Sequence, residues 1–261
     1  MCINLIFYYN EFMKNLLIIF SIFLATILPV SAEQVLPDAI VKNTITISAP
    51  KTGELGKNYY FCKNGNKCST EQVVRGYYNN NDYNVMRAEY SFWKGMFVLT
   101  FLDELYPQTL QSDNDLLDME LKNVETEILY KKLKQIQKTD LRQFINKQIA
   151  KHEQGSYIRW LDEWEIEGYK NPTEYFKSPL VQEFLSTIDN KIFCKIIENM
   201  FENYDNNPVG TPDYIVWNSK KMIFVEVKRK SEKLSSEQIK WGEFLVKNQI
   251  LYKVVRVYGN N

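Results

Sequence analysis

Glu226 and Lys228 interrupt an otherwise apolar run, Met222-Ile-Phe-Val-Glu-Val-Lys228. Read as a strand, the run places Met222, Phe224, Glu226 and Lys228 on one face and Ile223, Val225 and Val227 on the other. A carboxylate and an ammonium on a packed face cost free energy unless they are paired or bind a metal. A second carboxylate, Asp213, follows Gly210-Thr-Pro and opens a shorter run, Tyr214-Ile-Val-Trp217, with Asn218-Ser-Lys-Lys as the turn between the two. A hairpin through that turn brings Asp213 beside Glu226. Close carboxylates raise each other's pKa. A hard divalent ion, Mg²⁺ or Mn²⁺, relieves this by taking oxygens from Asp213, Glu226 and the Val227 backbone carbonyl. Such an ion polarises a phosphodiester and acidifies a bound water. Lys228 can position or deprotonate that water, or neutralise charge in the transition state. The plainer reading is a buried salt bridge in a small α/β domain.

Composition narrows the chemistry. Among 261 residues there is one histidine, His152, so histidine-rich zinc sites and histidine-based phosphodiesterases are excluded. Lys plus Arg equals Asp plus Glu at 32 each, which argues against coating nucleic acid by charge alone. Charge is nevertheless uneven. Between Asn218 and Arg256 there are ten basic and four acidic residues, a local excess of +6. Lys220, Lys221, Arg229, Lys230 and Lys233 are the candidates for contacting phosphates; a merely solvated face is the alternative.

The elements that must position these groups follow from patterning. Tyr214–Trp217 and Met222–Lys228 read as strands, Ser235 caps a helix to about Lys247, and Leu251–Val257 reads as a third strand. Strand, strand, helix, strand implies a mixed sheet with a crossover helix. Upstream, Ser69-Thr-Glu-Gln72 is a capping box opening a helix to about Tyr78. Val85 to Leu105 is expected to be one long buried helix ending before Pro107, with Glu89 anomalous in its first turns. Residues 113–151 are expected to form one or two amphipathic helices whose basic side is solvated or contacts phosphate. Further helices are expected near 157–167 and 173–203, the second broken around Ile188-Asp-Asn. Residues 33–58 look like an extended lead-in. From Met13, a lysine, an apolar stretch and Val30-Ser31-Ala32 have the form of a secretory leader cleaved after Ala32. Cys62 and Cys68 flank a small polar loop that suits a local disulfide in an oxidising compartment, while Cys194 suits a helix core.

Gly210-Thr-Pro-Asp213, then Glu226-Val-Lys228 thirteen positions on, then Lys233-Leu-Ser-Ser-Glu-Gln238-Ile-Lys-Trp241, resembles the VRR-NUC branch of PD-(D/E)XK nucleases. Ser69-Thr-Glu-Gln-Val-Val-Arg-Gly-Tyr-Tyr, Arg87-Ala-Glu89 and Gly95-Met-Phe-Val-Leu-Thr-Phe-Leu-Asp103 are similar to the helix pair of the Fanconi-associated nucleases. The resemblance implies an α/β restriction-endonuclease-like core, with a small mixed sheet flanked by helices and a large helical insertion. It implies that Glu89, Asp213 and Glu226 hold Mg²⁺ or Mn²⁺, that Lys228 is the catalytic lysine, and that Gln238 supports the site or contacts DNA. Arg229-Lys230 stands where the family often has a Gly-Pro-like bend, and the long N-terminal DNA-binding and helical-repeat regions of its eukaryotic members are not expected here, which leaves substrate preference open. The expected organisation is a leader over 1–32, a lead-in over 33–68, core helices over 69–106, a helical insertion over 107–203 and the catalytic core over 204–261. The expected function is metal-dependent hydrolysis of DNA, branched, flapped or free-ended, by an exported monomer without stable membrane association. A repair nuclease inside the cell or on a membrane anchor, and an inactive DNA-binding or partner-binding module, are the alternatives.

Overall fold

A computed structural model describes residues 37–51, 60–62, 65–106, 124–155, 161, 166–203 and 210–260. In chain order these give α1 (Asp38–Lys42), β1 (Thr44–Pro50), β2 (Tyr60–Phe61), β3 (Lys67–Cys68), α2 (Thr70–Asn79), β4 (Asn84–Arg87), α3 (Tyr90–Thr100) and α4 (Leu102–Leu105). Then follow α5 (Thr126–Ile136), α6 (Leu141–Gly155), α7 (Pro172–Phe176), α8 (Pro179–Thr187), α9 (Asn190–Glu202), β5 (Tyr214–Trp217), β6 (Met222–Arg229), α10 (Ser236–Lys247) and β7 (Tyr252–Asn260). The expected leader and the acidic stretch of residues 113–120 lie outside the described residues.

Five strands form one sheet in the order β1-β7-β6-β5-β4. The hairpin β5–β6 and the pair β4–β5 are antiparallel; β6–β7 and β7–β1 are parallel. The parallel β6–β7 pair needs a crossover, and α10 supplies it. Side-chain alternation sorts the core into two layers. Ile215, Trp217, Phe224, Tyr252 and Val254 pack with α3 and the helices of the central segment; Trp93 stacks on Phe224 at 6.2 Å. Tyr214, Val216, Ile223, Val225, Val227, Val255 and Val257 face the other way, onto Val74 and Tyr78 of α2. The face assignment made for β6 from its sequence holds residue by residue. So does the α/β class, a mixed sheet flanked by helices.

Three expectations are corrected. Val85–Leu105 is not one helix: its first residues form the edge strand β4, and α3 begins only at Tyr90. A short apolar run carries no period that separates strand from helix, and here Val85 and Met86 both find partners across β5. The lead-in is likewise more than extended chain. Thr44-Ile-Thr-Ile pairs with β7 from Thr44↔Val254 onward, a pairing across some two hundred residues that no local pattern announces. Its β-branched residues suit an edge strand, and Pro50 ends it where a missing N–H is tolerated. Of the expected helix near 157–167, residues 157–160 and 162–165 lie outside the described residues; at its end Ile166–Tyr169 is a tight turn, with Glu167 at φ 50° and Gly168 at φ 81°. The break at Ile188-Asp189 is present, with Asp189 capping α9. Cys62 and Cys68 are joined as a disulfide across the β2–β3 ribbon, and Cys194 is buried in the helical core.

Candidate active site

Extending the Tyr214↔Val225 register by one residue places Asp213 opposite Glu226. Asp213 Oδ2 accepts the Val227 N–H at 2.6 Å, and its own carbonyl accepts the Ala88 N–H at 2.9 Å. Asp213 is thus tied by its carboxylate to β6 and by its backbone to the end of β4. Glu226 is 1% exposed and Lys228 6%. Glu226 Oε1 accepts from Lys228 Nζ at 2.7 Å and from Gln238 Nε2 at 2.6 Å. Lys228 Nζ also lies 3.6 Å from Glu232 Oε1.

The Gln238 amide is oriented by the helix it sits on. Ser235 N–H donates to Gln238 Oε1 at 2.9 Å, and the Gln238 N–H donates back to Ser235 Oγ at 3.2 Å, a capping box. With its oxygen held by the cap, the amide has only its NH₂ left to present, and this meets Glu226. One local signal therefore starts α10 and aims a donor into the site. Gly210 lets the Gly-Thr-Pro-Asp loop lie against that same turn. Its φ is +100°, and a Cβ there would meet Glu237 Cβ at 2.7 Å and Gln238 N at 2.8 Å.

Electrostatics follow from burial. Burial first, and then the nearby Glu89, push Asp213 up to about 6, against the pull of the Val227 hydrogen bond and Lys228. Burial and the facing Asp213 push Glu226 up to about 8 despite Lys228. Burial draws the Lys228 ammonium down, but Glu226, Glu232 and Asp213 outweigh it, so Lys228 holds its proton more tightly than usual. Two carboxylates with one ammonium are a site short of positive charge. Tyr252, on the neighbouring strand, adds a feature that the sequence did not flag. Its hydroxyl is buried without a hydrogen-bond partner, and burial together with Glu226 and Asp213 raises its pKa, so it stays a donor.

The donor set fits a hard divalent cation. The hydrogen bonds described engage one oxygen of each carboxylate and leave Asp213 Oδ1 and Glu226 Oε2 for a ligand, with water to complete the shell. Glu89 stands apart from this pair. It occupies the N-cap position of α3 without capping it, and its carboxylate takes Arg87 Nε at 2.8 Å and Arg87 Nη2 at 2.7 Å. Among the described residues no three acidic, histidine or cysteine side chains converge closely enough to hold a metal. The sequence names Arg87 only within Arg87-Ala-Glu89 and gives it no role of its own, since an arginine two residues from a glutamate carries no distinctive spacing.

The basic candidates separate into two groups. Arg229, Lys230 and Lys233 lie just past Lys228, at the site's end of β6. Arg256 ties this loop down by donating to the carbonyls of Arg229, Lys230 and Glu232. Lys230 Nζ sits 3.9 Å from the Tyr258 ring centre. Lys220 and Lys221 sit in the β5–β6 turn, at the far end of the hairpin, about 16 Å along the strand from Glu226. On the basic helices, Lys132 is 2.9 Å from Glu104 and Lys151 is paired with Asp103, so part of that charge is internally neutralised.

A mixed sheet that sets an acid at the head of one hairpin strand against Glu-x-Lys on the next defines the PD-(D/E)XK class of nuclease folds. Within that class, residues 151–259 match the VRR-NUC domain. This match begins inside α6, upstream of residue 204. The chain is 24% identical over 206 residues to the Fanconi-associated nuclease 1 homolog of Schizosaccharomyces pombe, covering 75% of this chain and 28% of that protein. It is 27% identical over 209 residues to the homolog of Caenorhabditis elegans, covering 75% of this chain and 24% of that protein. Among solved structures, paFAN1 bound to DNA with a 2-nucleotide 5′ flap and a gap has the same fold. Its TM-score is 0.61 at 16% identity, over 88% of this chain and 39% of that one. Residues 151–259 are thus similar to the VRR-NUC domain, and the fold is shared with paFAN1. The chain spans about a quarter of the length of the curated relatives it matches.

Proposed function

We propose that this protein is a metal-dependent nuclease that hydrolyses DNA phosphodiester bonds, acting at free ends or 5′ flaps. The observation that carries the reading is the buried Glu226–Lys228 pair, with Gln238 locked onto it and the half-buried Asp213 facing it. A structural salt bridge does not require a second carboxylate facing it, and here the half-buried Asp213 raises the cost of the arrangement. The VRR-NUC match and the flap DNA in the solved structure of paFAN1 support the substrate class.

In this reading Asp213 and Glu226 hold Mg²⁺ or Mn²⁺, with the Val227 carbonyl and Glu89 as further ligands once Glu89 leaves Arg87. The ion, when bound, supplies charge for the phosphate oxygens and acidity for a bound water. The protein's own groups do the rest. Gln238 fixes the Glu226 carboxylate so that the oxygen opposite its hydrogen bond points to the ligand. Lys228, kept protonated by its acidic neighbours, places a positive charge beside the scissile phosphate and donates to it or to the attacking water. Arg229, Lys230 and Lys233 extend that positive surface along the strand.

The deciding experiment compares the wild-type protein with Asp213→Ala on plasmid, linear duplex and 5′-flap DNA. Each substrate is tested with Mg²⁺, with Mn²⁺ and with EDTA. Metal-dependent cleavage lost in the variant is expected; an inert wild type under every metal condition overturns the reading. Cutting of flaps in preference to plain duplex supports structure selectivity, whereas equal cutting of both rejects it.

A further inference from the structure

Beside Asp213, on the exposed edge of the sheet, two arginines from different elements share one carboxylate. Arg75 Nη2 of α2 lies 2.8 Å from Glu167 Oε2, and Arg87 Nη1 of β4 lies 3.3 Å from Glu167 Oε1. Each carboxylate oxygen takes one guanidinium, the way two oxygens of a phosphodiester would be gripped. Arg75 is further set by the Tyr214 ring, 5.4 Å below its guanidinium carbon. Arg87 is set from its backbone, where its carbonyl accepts the Tyr175 hydroxyl at 2.9 Å.

Glu167 reaches between them from a tight turn. Its own φ of 50° and that of Gly168, 81°, are both in the left-handed region, which a glutamate adopts only at a cost. A cavity of about 200 Å³ opens next to this contact, lined by Arg87, Glu89, Ser91 and Glu167 among others. Arg87 pairs with Tyr214 in the β4–β5 ladder, so this wall of the cavity stands opposite the residue that follows Asp213. Glu89 at present neutralises Arg87 from the other side. If a cation draws Glu89 toward Asp213 and Glu226, Arg87 loses its nearer partner, and only Glu167 keeps it from an incoming anion.

We propose that Arg75 and Arg87 form a binding site for a backbone phosphate of the DNA strand adjacent to the scissile one, and that the Glu167 carboxylate is the displaceable occupant of that site in the DNA-free protein. This rests on the nuclease reading of the Asp213 site and adds a second anchor to it. A strained turn carrying a phosphate-mimicking carboxylate is suited to being expelled, because relief of the backbone strain offsets part of the lost ion pairs.

The test is equilibrium binding of the full chain to fluorescein-labelled 5′-flap DNA in EDTA, by anisotropy, at several salt concentrations from 50 to 200 mM. Arg75→Gln and Arg87→Gln are each expected to weaken binding roughly tenfold and to reduce the slope of log affinity against log salt by about one. Glu167→Gln is expected to bind roughly three- to tenfold more tightly, since it removes the competing charge. Arginine variants with wild-type affinity and slope overturn the proposal. So does a Glu167→Gln protein that melts at the wild-type temperature and binds no more tightly. If Glu167→Gln melts lower, the turn is structural, and the arginine variants decide alone. Should the wild type itself fail to bind DNA, the nuclease reading falls as well; a failure confined to these variants leaves that reading standing.

Discussion

The Asp213 carboxylate accepts one backbone bond and faces a second carboxylate across the hairpin. Both acids have folded-state pKa values raised above their ordinary ones, Asp213 to about 6 and Glu226 to about 8. An acid whose pKa rises on folding binds its proton more tightly in the native state. Its contribution to stability is therefore complete below the unfolded pKa near 4 and is lost as pH climbs through the folded value. Metal-free protein should accordingly become less stable between about pH 4 and pH 8, by on the order of 3 kcal/mol for the coupled pair. Added Mn²⁺ or Mg²⁺ should restore the melting temperature at pH 8 and do little at pH 5, where the ligands hold protons. Asp213→Asn keeps an oxygen for the Val227 N–H but removes the charge. It should melt higher than wild type at pH 8 in EDTA, respond weakly to Mn²⁺, and lose cleavage by about two orders of magnitude or more. Thermal melts at the two pH values, with and without metal, check all three. A wild-type melting temperature flat across this range would mean that the pair is satisfied without a cation.

One scale up, the site depends on a junction between two elements more than on either alone. The Gly-Thr-Pro-Asp loop must touch the first turn of α10, because that turn aims Gln238 at Glu226 and the loop carries Asp213. Gly210→Ala adds a methyl 2.8 Å from the Gln238 nitrogen and forces a side chain into φ +100°. A destabilisation of about 1–3 kcal/mol is expected, with cleavage falling further than stability as Gln238 shifts; matched melting and cleavage series would reveal it. Most of this junction was legible in the sequence. Asp213, Glu226, Lys228 and Gln238 sit within 26 residues of one another, on a hairpin and a capped helix whose signals are local. What was not legible depends on distance along the chain. β1 and β4 are edge strands whose partners are remote, and β4 was absorbed into a helix because its few apolar residues run straight into those of α3. The Arg75–Glu167–Arg87 contact joins residues 80 to 92 positions apart, beyond the reach of any spacing argument.

At the level of the whole molecule, two features at the N-terminal end bear on where the protein works. The chain has the sequence form of a cleavable leader from Met13 to Ala32, and the structure closes Cys62 and Cys68 into a disulfide beside the β2–β3 ribbon. Short-range disulfides persist in oxidising compartments and are rare in reducing ones. We propose on these grounds that the protein is exported, so that its DNA is foreign or extracellular rather than a replication intermediate. Residues 13–40 fused to a reporter active only outside the cytoplasm should then give signal; a silent fusion rejects export and returns the enzyme to intracellular repair. The bridge offers a second, independent check on material purified from its natural compartment. Export predicts that Cys62 and Cys68 resist alkylation until a reductant is added, while buried Cys194 reacts only on unfolding. Closing so short a loop contributes roughly 2 kcal/mol in the chain-entropy picture. Both cysteines lie in a separate ribbon from Asp213, Glu226 and Lys228. Cys62→Ser with Cys68→Ser should therefore lower the melting temperature by several degrees yet leave metal-dependent cleavage within about twofold. Loss of cleavage at a temperature where the variant is still folded would instead tie the ribbon to the DNA path.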